Sequence, residues 1–338
     1  MKTALSFDSF DQIAAFAEAL PQPDSAAADA ARALQAQLTK PPGSLGRLED
    51  LAIFMAGWQG VEKPQIARAQ ALVFAGNHGV CAQGINPFPQ EVTAQMVANF
   101  QHGGAAINQL CRVSGAELSV IALDLDRPTA DFTQGPAMDE ADCLDAMRKG
   151  AEAVDTSADV LILGEMGIGN STVAAALANA AFKGEAADWV GAGTGSDADG
   201  IAHKARVVAR AVTRHQAARG LAQLAALGGR EQAAICGAVL AARMARLPVL
   251  LDGFICTAAT APLYATDKGF LDHCLIGHVS REPGHRRLCD AFGKEPILSL
   301  DMALGEGSGA ALALSILRGA VACHSGMATF AEAGVAGG

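Results

Sequence analysis

Glu306 stands between two glycines, Gly305 and Gly307, after an apolar approach from Leu298 to Leu304 and before an alanine-rich stretch, Gly309 to Leu317, that reads as a helix. A carboxylate framed by glycines at a helix mouth can come close to a bound ligand and take a proton from it. The same spacing also suits a plain cap of the helix that begins near Ser308. Residues elsewhere in the chain have to separate a base from a cap.

The second candidate is Gly164-Glu165-Met166-Gly167-Ile168-Gly169-Asn170-Ser171-Thr172, which follows the apolar run Asp159 to Leu163 and precedes the alanine-rich stretch Val173 to Phe182. A strand, a glycine loop and a helix start present backbone N–H groups and a helix N-terminus to an anion, and phosphate is the expected guest. Gly164 and Gly169 have Walker A spacing, but Asn170 occupies the place of the essential lysine, which disfavours a nucleotide triphosphatase. The dinucleotide fingerprint lacks its third glycine, where Thr172 stands, and Asp188 precedes the next apolar run when the ribose-binding acid should follow one. An NAD(P)-dependent oxidoreductase is therefore an alternative reading, and a tight turn with no ligand is another. A second glycine loop, Gly191-Ala192-Gly193-Thr194-Gly195, leads to a helix carrying Lys204, which either supplies a point charge to an anion or is a solvated helix lysine. Two such loops with one lysine suit a monophosphate.

No metal site and no cofactor are expected. His78, His278 and His285 form neither an HxH nor an HExxH spacing, and the eight cysteines contain no CxxC pair. The histidines read as structural residues at loop ends.

These loops need elements to hold them. Apolar runs at Ala71 to Ala75, Leu118 to Leu123, Val160 to Leu163, Trp189 to Val190, Val249 to Leu251 and Cys274 to Ile276 end in glycine, aspartate or asparagine and alternate with helix-length segments. That texture predicts an α/β fold: a mostly parallel, Rossmann-like sheet covered by helices, with ligands bound beyond the carboxyl ends of its strands. The first quarter reads as helices, from Phe10 to Leu20, Ser25 to Leu38 and Arg47 to Trp58, with the Pro- and Gly-rich Lys40 to Gly46 between the last two. The expected layout is a helical segment over 1–65, the parallel catalytic domain over 66–304, and a helical segment over 305–338 that returns to the first to make a smaller domain.

The 338 residues are 51% hydrophobic and 18% charged, with 37 glycines, a composition too apolar for disorder and too interrupted for a membrane protein. A net charge of −10 without a basic stripe argues against nucleic acid as a partner. Asp8, Asp11 and Glu18 interrupt the N-terminal stretch where a signal peptide needs an apolar centre, so neither export nor a membrane span is expected. Cysteines in apolar surroundings read as reduced thiols of a cytoplasmic protein.

Six segments in order, Lys40 to Glu49, Gly76 to Val80, Pro89 to Thr93, Gly164 to Thr172, Gly191 to Gly195 and Leu304 to Ala311, resemble the nicotinate-nucleotide:dimethylbenzimidazole phosphoribosyltransferase family. The resemblance implies transfer of the phosphoribosyl group from nicotinate mononucleotide to 5,6-dimethylbenzimidazole, which makes the α-ribazole phosphate of the cobalamin lower ligand. It also implies the parallel-sheet domain, the small helical domain and a homodimer. By residue, it implies Glu306 as the general base and Gln90 at the benzimidazole. Glu165, Met166, Gly167 and Gly169, with Gly193 and Lys204, line the nucleotide side, and Asn170 in the same loop is counted with them. Some members have Asp at Asn77 and Leu at Met166, and the second exchange touches the base pocket.

The chemistry follows from the reactants. A benzimidazole has one acidic N–H and one basic nitrogen, and a carboxylate that takes the proton frees the other nitrogen to attack the anomeric carbon. Glu306, among small and apolar neighbours, is expected to be desolvated and hence more basic than a surface glutamate. One displacement converts a β-nucleotide into an α-product by inversion. Glu165 is expected either to meet the ribose hydroxyls and steady developing positive charge, or simply to bond backbone N–H groups. Ser280, Glu282 and His285 are expected at most to help shape the ligand side and stand outside the catalytic set. A non-catalytic carrier of benzimidazoles is the remaining alternative.

Overall fold

Runs of alanine, valine and leucine form five strands: β1 (Ala69–Ala75), β2 (Ala116–Ala122), β3 (Val160–Met166), β4 (Val249–Leu251) and β5 (Cys274–Ile276). The computed structural model describes residues 5–336; residues 1–4 and 337–338, the outermost parts of the first and last expected segments, lie outside them. All neighbouring strands pair in parallel, in the order β2-β1-β3-β4-β5. The chain leaves β1 for β2 on one side and then reaches β3 on the other, so the order reverses between β1 and β3. Connections that diverge at such a point leave a crevice beyond the carboxyl ends of the strands.

β1, β3, β4 and β5 are largely buried on both faces while the edge strand β2 is half-exposed, and the side chains of the inner strands alternate between two cores. Val73, Val160, Ile162 and Leu250 face a cluster with Leu51 and Met55 of the helix Arg47–Gln59 and with Leu314 and Leu317 of the helix Ser308–Gly326. Leu72, Phe74, Leu161, Leu163 and Leu251 face the opposite cluster, with Met147, Leu177 and Leu240 of three further helices. The two ends of the chain meet. Leu38 bridges Thr329, and Gln35 Nε2 lies 2.8 Å from His324 Nδ1. Leu51 and Leu314 share their cluster with the sheet, whereas Phe7, Ile13 and Leu20 pack into the core on the other face.

Two sequence expectations change here. Trp189 and Val190 are not a strand: Trp189 ends a short 3-10 turn, Ala186–Asp188, and its indole N–H donates to Lys183 O at 2.9 Å. Both residues are buried, and an apolar pair gives the same signal whether it enters a ladder or a packed loop. Second, His278–Val279 (β6) and Leu298–Ser299 (β7) pair as a separate two-stranded parallel sheet, too short to show as periodicity.

Candidate active site

A cleft opens at the carboxyl ends of β3 and β4 and is closed by the chain after β5, the turn before the helix Ser308–Gly326, and the stretch from Ile85 to Met96. Glu165 and Met166 reach it as the last residues of β3. They belong to the strand, because Gly164, Glu165 and Met166 continue the ladder with Val73, Phe74 and Ala75; the glycine loop proper is only Gly167 to Gly169. The sequence places all of Gly164 to Asn170 in a loop because glycine normally punctuates a strand. Here it has another task. A Cβ on Gly164 would overlap the carbonyl of Glu306, so the bare strand is the seat on which the Gly305–Gly307 turn rests.

Gly305, Glu306 and Gly307 all lie in the left-handed region, at φ 85, 66 and 90°. A side chain at Glu306 is tolerated there at a cost of about 1–3 kcal/mol, and such strain collects at functional sites. Glu306 does not cap the helix that follows it. That role belongs to Asp252, just past β4, whose carboxylate accepts from Gly307 N at 3.2 Å and Ala310 N at 2.9 Å. Glu306 turns instead toward a different helix, its Oε2 accepting from Ile107 N at 3.4 Å, and remains 6% exposed on the cleft wall. Burial raises its pKa above the ordinary glutamate value, Asp252 adds to the rise, and the Ile107 N–H offsets part of it.

Glu165 is more deeply enclosed. Burial first, then the charges of Asp252 and Glu231, push its pKa up to about 8, a rise that the amide of Asn170 opposes and Glu306 reinforces. At neutral pH it is a carboxylic acid, bonded to the Asn170 side chain and not to backbone N–H groups. Behind it, Glu231 pairs with His78 at 3.2 Å, both fully buried. His278 stands 3.7 Å from Asp252. These histidines are internal partners of carboxylates, and His285, whose pKa burial lowers to about 3, accepts from Ser280 N at 2.8 Å.

The facing wall carries donors. Lys204 is 2% exposed, with Nζ donating to Ala192 O at 3.2 Å, so it is not a solvated helix lysine. Burial lowers its pKa and the Glu282 carboxylate opposes that change. Gly193, at φ 54°, brings its backbone beside Ser171 and Lys204. Its N–H donates to Glu282 Oε1 at 2.9 Å.

Glu306, Glu165, Met166, Gly167, Gly169, Asn170, Gly193 and Lys204 therefore line one cleft. Gln90 does not line it: its side-chain amide donates instead to His78 O. Sequence reasoning did not single out Asp252, took Ser171 only as part of the glycine loop, and gave Glu282 no more than a share in shaping the ligand side. Asp252 had a signal, an acid directly after an apolar run and before a glycine. Nothing local ties Ser171 and Glu282 to Lys204 or Gly193, because these partners are remote in the chain. Among the described residues no group of three or more His, Cys, Asp or Glu side chains is placed to hold a metal ion.

The arrangement joins a desolvated base, a neutral acid and a cationic anion seat. Comparison with known proteins agrees in kind. A family model described as phosphoribosyltransferase matches residues 20–335. The nicotinate-nucleotide--dimethylbenzimidazole phosphoribosyltransferase of Rhodobacter capsulatus is 60% identical over 331 residues, 98% of this chain and 99% of that protein. The enzyme of the same name from Roseobacter denitrificans is also 60% identical, with the same coverage of both chains. The crystal structure of CobT from Thermus thermophilus superposes with a TM-score of 0.87 at 42% identity, covering 93% of this chain and all of that one. On the strength of that match along nearly its whole length, the chain belongs to the nicotinate-nucleotide:dimethylbenzimidazole phosphoribosyltransferase family.

Proposed function

We propose that this protein transfers the 5-phosphoribosyl group of nicotinate mononucleotide to 5,6-dimethylbenzimidazole, giving α-ribazole 5′-phosphate and nicotinate. The observation that carries the proposal is the meeting, in one cleft, of a buried carboxylate of raised pKa at Glu306 with the cationic seat made by Lys204, Ser171 and the Gly193 backbone. The phosphate is held at that seat and fixes the ribose. Glu306 takes the benzimidazole N–H proton, the other ring nitrogen forms its bond to the anomeric carbon, and the bond to nicotinate breaks. The electron pair returns to the nicotinate ring nitrogen and cancels its positive charge. Holding the two reactants in line supplies much of the acceleration.

Glu165, protonated at neutral pH, acts as a donor to a ribose hydroxyl and not as a counter-charge. Met166, Met96, Val92, Phe88 and Leu304 give the cleft its apolar share and receive the aromatic base. Gln90 contributes indirectly, by holding the His78 carbonyl and with it the β1 loop. A homodimer belongs to the same proposal, supported by the exposed Phe88, Leu300 and Leu304 near the cleft mouth. So does a cytoplasmic setting, supported by eight cysteines that are all free. No helix among the described residues is long and apolar enough to cross a membrane.

The test is to mix the protein with nicotinate mononucleotide and 5,6-dimethylbenzimidazole and to follow nicotinate release and the anomeric proton of the product by NMR. Release that depends on both substrates, with an α-anomeric product, is expected. No release, or a β-product, overturns the proposal.

A further inference from the structure

Around Gly193 three donors converge. A Cβ on that residue would lie 2.8 Å from Ser171 Oγ and 3.1 Å from Lys204 Nζ, and its own N–H points the same way. Glu282 already takes one donor of this seat. Its Oε1 accepts from Gly193 N at 2.9 Å, and its charge acts on Lys204. Gly191 makes room for it, since a Cβ there would overlap Glu282 Oε2. That second oxygen is buried and has no hydrogen-bond partner among the described residues. The carboxylate is presented by a braced turn: Glu282 N donates to Ser280 Oγ at 3.2 Å, Ser280 N to His285 Nδ1, and Pro283 opens the next helix.

A carboxylate with one satisfied oxygen holds the seat only partly, because a buried acceptor without a donor loses its hydration and gains nothing in return. A phosphate presents three oxygens and up to two charges to the same donors. The two anions cannot share Gly193 N–H and one lysine without strong like-charge repulsion. We propose that Glu282 is an internal stand-in for the substrate phosphate, which binds by displacing the carboxylate from Gly193, so that Glu282 sets the affinity for phosphorylated ribose. This inference rests on the reading that the phosphate of nicotinate mononucleotide binds at Lys204 and Gly193. In the free protein the carboxylate holds the glycine loop in its binding shape through the Gly193 N–H, and its charge acts on the buried lysine. Anions weaker than a phosphate do not displace it.

Glu282→Gln keeps the size of the side chain and removes its charge. The KM for nicotinate mononucleotide is expected to fall about tenfold, a change of about 1.4 kcal/mol. Inorganic phosphate, titrated calorimetrically into wild type and variant, is expected to bind the variant more tightly by a similar factor. A KM and a phosphate affinity that are unchanged or weakened overturn the inference, since Glu282 would then assist the lysine instead of competing with the ligand. Phosphate titration keeps the two readings apart: tighter phosphate binding to E282Q in a protein that never releases nicotinate supports the stand-in while refuting the transferase. If E282Q does not fold, a crystal structure of the wild type with inorganic phosphate decides. A phosphate at Gly193 with Glu282 swung away supports the inference, and a phosphate bound elsewhere, or beside an intact Glu282–Gly193 hydrogen bond, overturns it.

Discussion

The two walls of the cleft treat charge in opposite ways. On one side Glu165, Asp252 and Glu306 crowd together; burial raises the pKa of all three, and neighbouring carboxylates add to the rise at Glu165 and Glu306. On the other, Lys204 is buried too, yet a carboxylate from a distant turn balances it, and its N–H neighbours are already arranged. On the first wall Glu306 is poised to accept a proton because burial disfavours its charge. The second is poised to accept an anion because its charge is fixed in place. A single cleft can then separate proton transfer from substrate retention, and substitutions should separate the two as well.

The sharpest break is Glu306→Gln. It should lower turnover by about a thousandfold, within the usual range for a lost general base, with nicotinate mononucleotide affinity changed less than about threefold. Equilibrium binding beside steady-state kinetics checks this, and a collapse of binding would mean that the walls are not separate. Lys204→Met should act on the other wall, raising the KM for nicotinate mononucleotide about 10- to 100-fold through loss of charge-assisted hydrogen bonds while moving kcat less. A fall in kcat at constant KM would place the phosphate elsewhere.

Asp252→Ala tests whether the acid wall is built by backbone anchoring. Losing the acceptor for Gly307 N and Ala310 N should destabilise the fold by about 1–2 kcal/mol in urea denaturation and slow turnover about tenfold as the Glu306 turn loosens. Unchanged kcat would show that Gly164 alone seats the turn. The last test concerns Glu165 and reads stability alone. Folded, it keeps its proton to about pH 8, and unfolded to its ordinary value of 4.5, so between these limits the native state binds more protons and stability declines as pH rises. Glu165→Gln should remove that decline, so that the variant gains on the wild type between pH 5 and pH 8. Parallel stability curves across that range would mean that Glu165 is ionised in the native protein.

Much of the frame was legible because parallel strands buried on both faces leave long apolar signatures. Val249 to Leu251 and Cys274 to Ile276 were located to the residue, and the helix from Arg47 misses its observed end by one. Trp189 and Val190 show the limit of that signal, since burial alone does not say whether backbone groups enter a ladder. At the site, Glu306 stood out through its glycine frame, but its relation to the following helix did not, because the cap comes from β4. Lys204 gave no sign of burial: its helix is strongly amphipathic, and only the folded chain brings the Gly191–Gly195 loop over it. Glu282 was placed on the ligand side, but its contacts were hidden for the same reason. Its partners are a backbone N–H and a lysine from other parts of the chain, and contacts of that kind leave no local pattern.

Gly164 carries a consequence for how this protein can change over generations. Any side chain there strikes the backbone of Glu306, so an exchange at position 164 is paid for at the Glu306 turn, far away in the sequence. The constraint runs one way: the side chain at position 306 can change with Gly164 in place, whereas any side chain at 164 dislodges the turn. Drift at 164 is closed off although the residue touches no substrate. Phe88, Met96 and Leu304, on the apolar side of the cleft, carry no such linkage to the turn's seat, and Phe88 and Leu304 are partly open to solvent. Lineages that shift to a different aromatic base, and libraries built to do the same, have their freedom there.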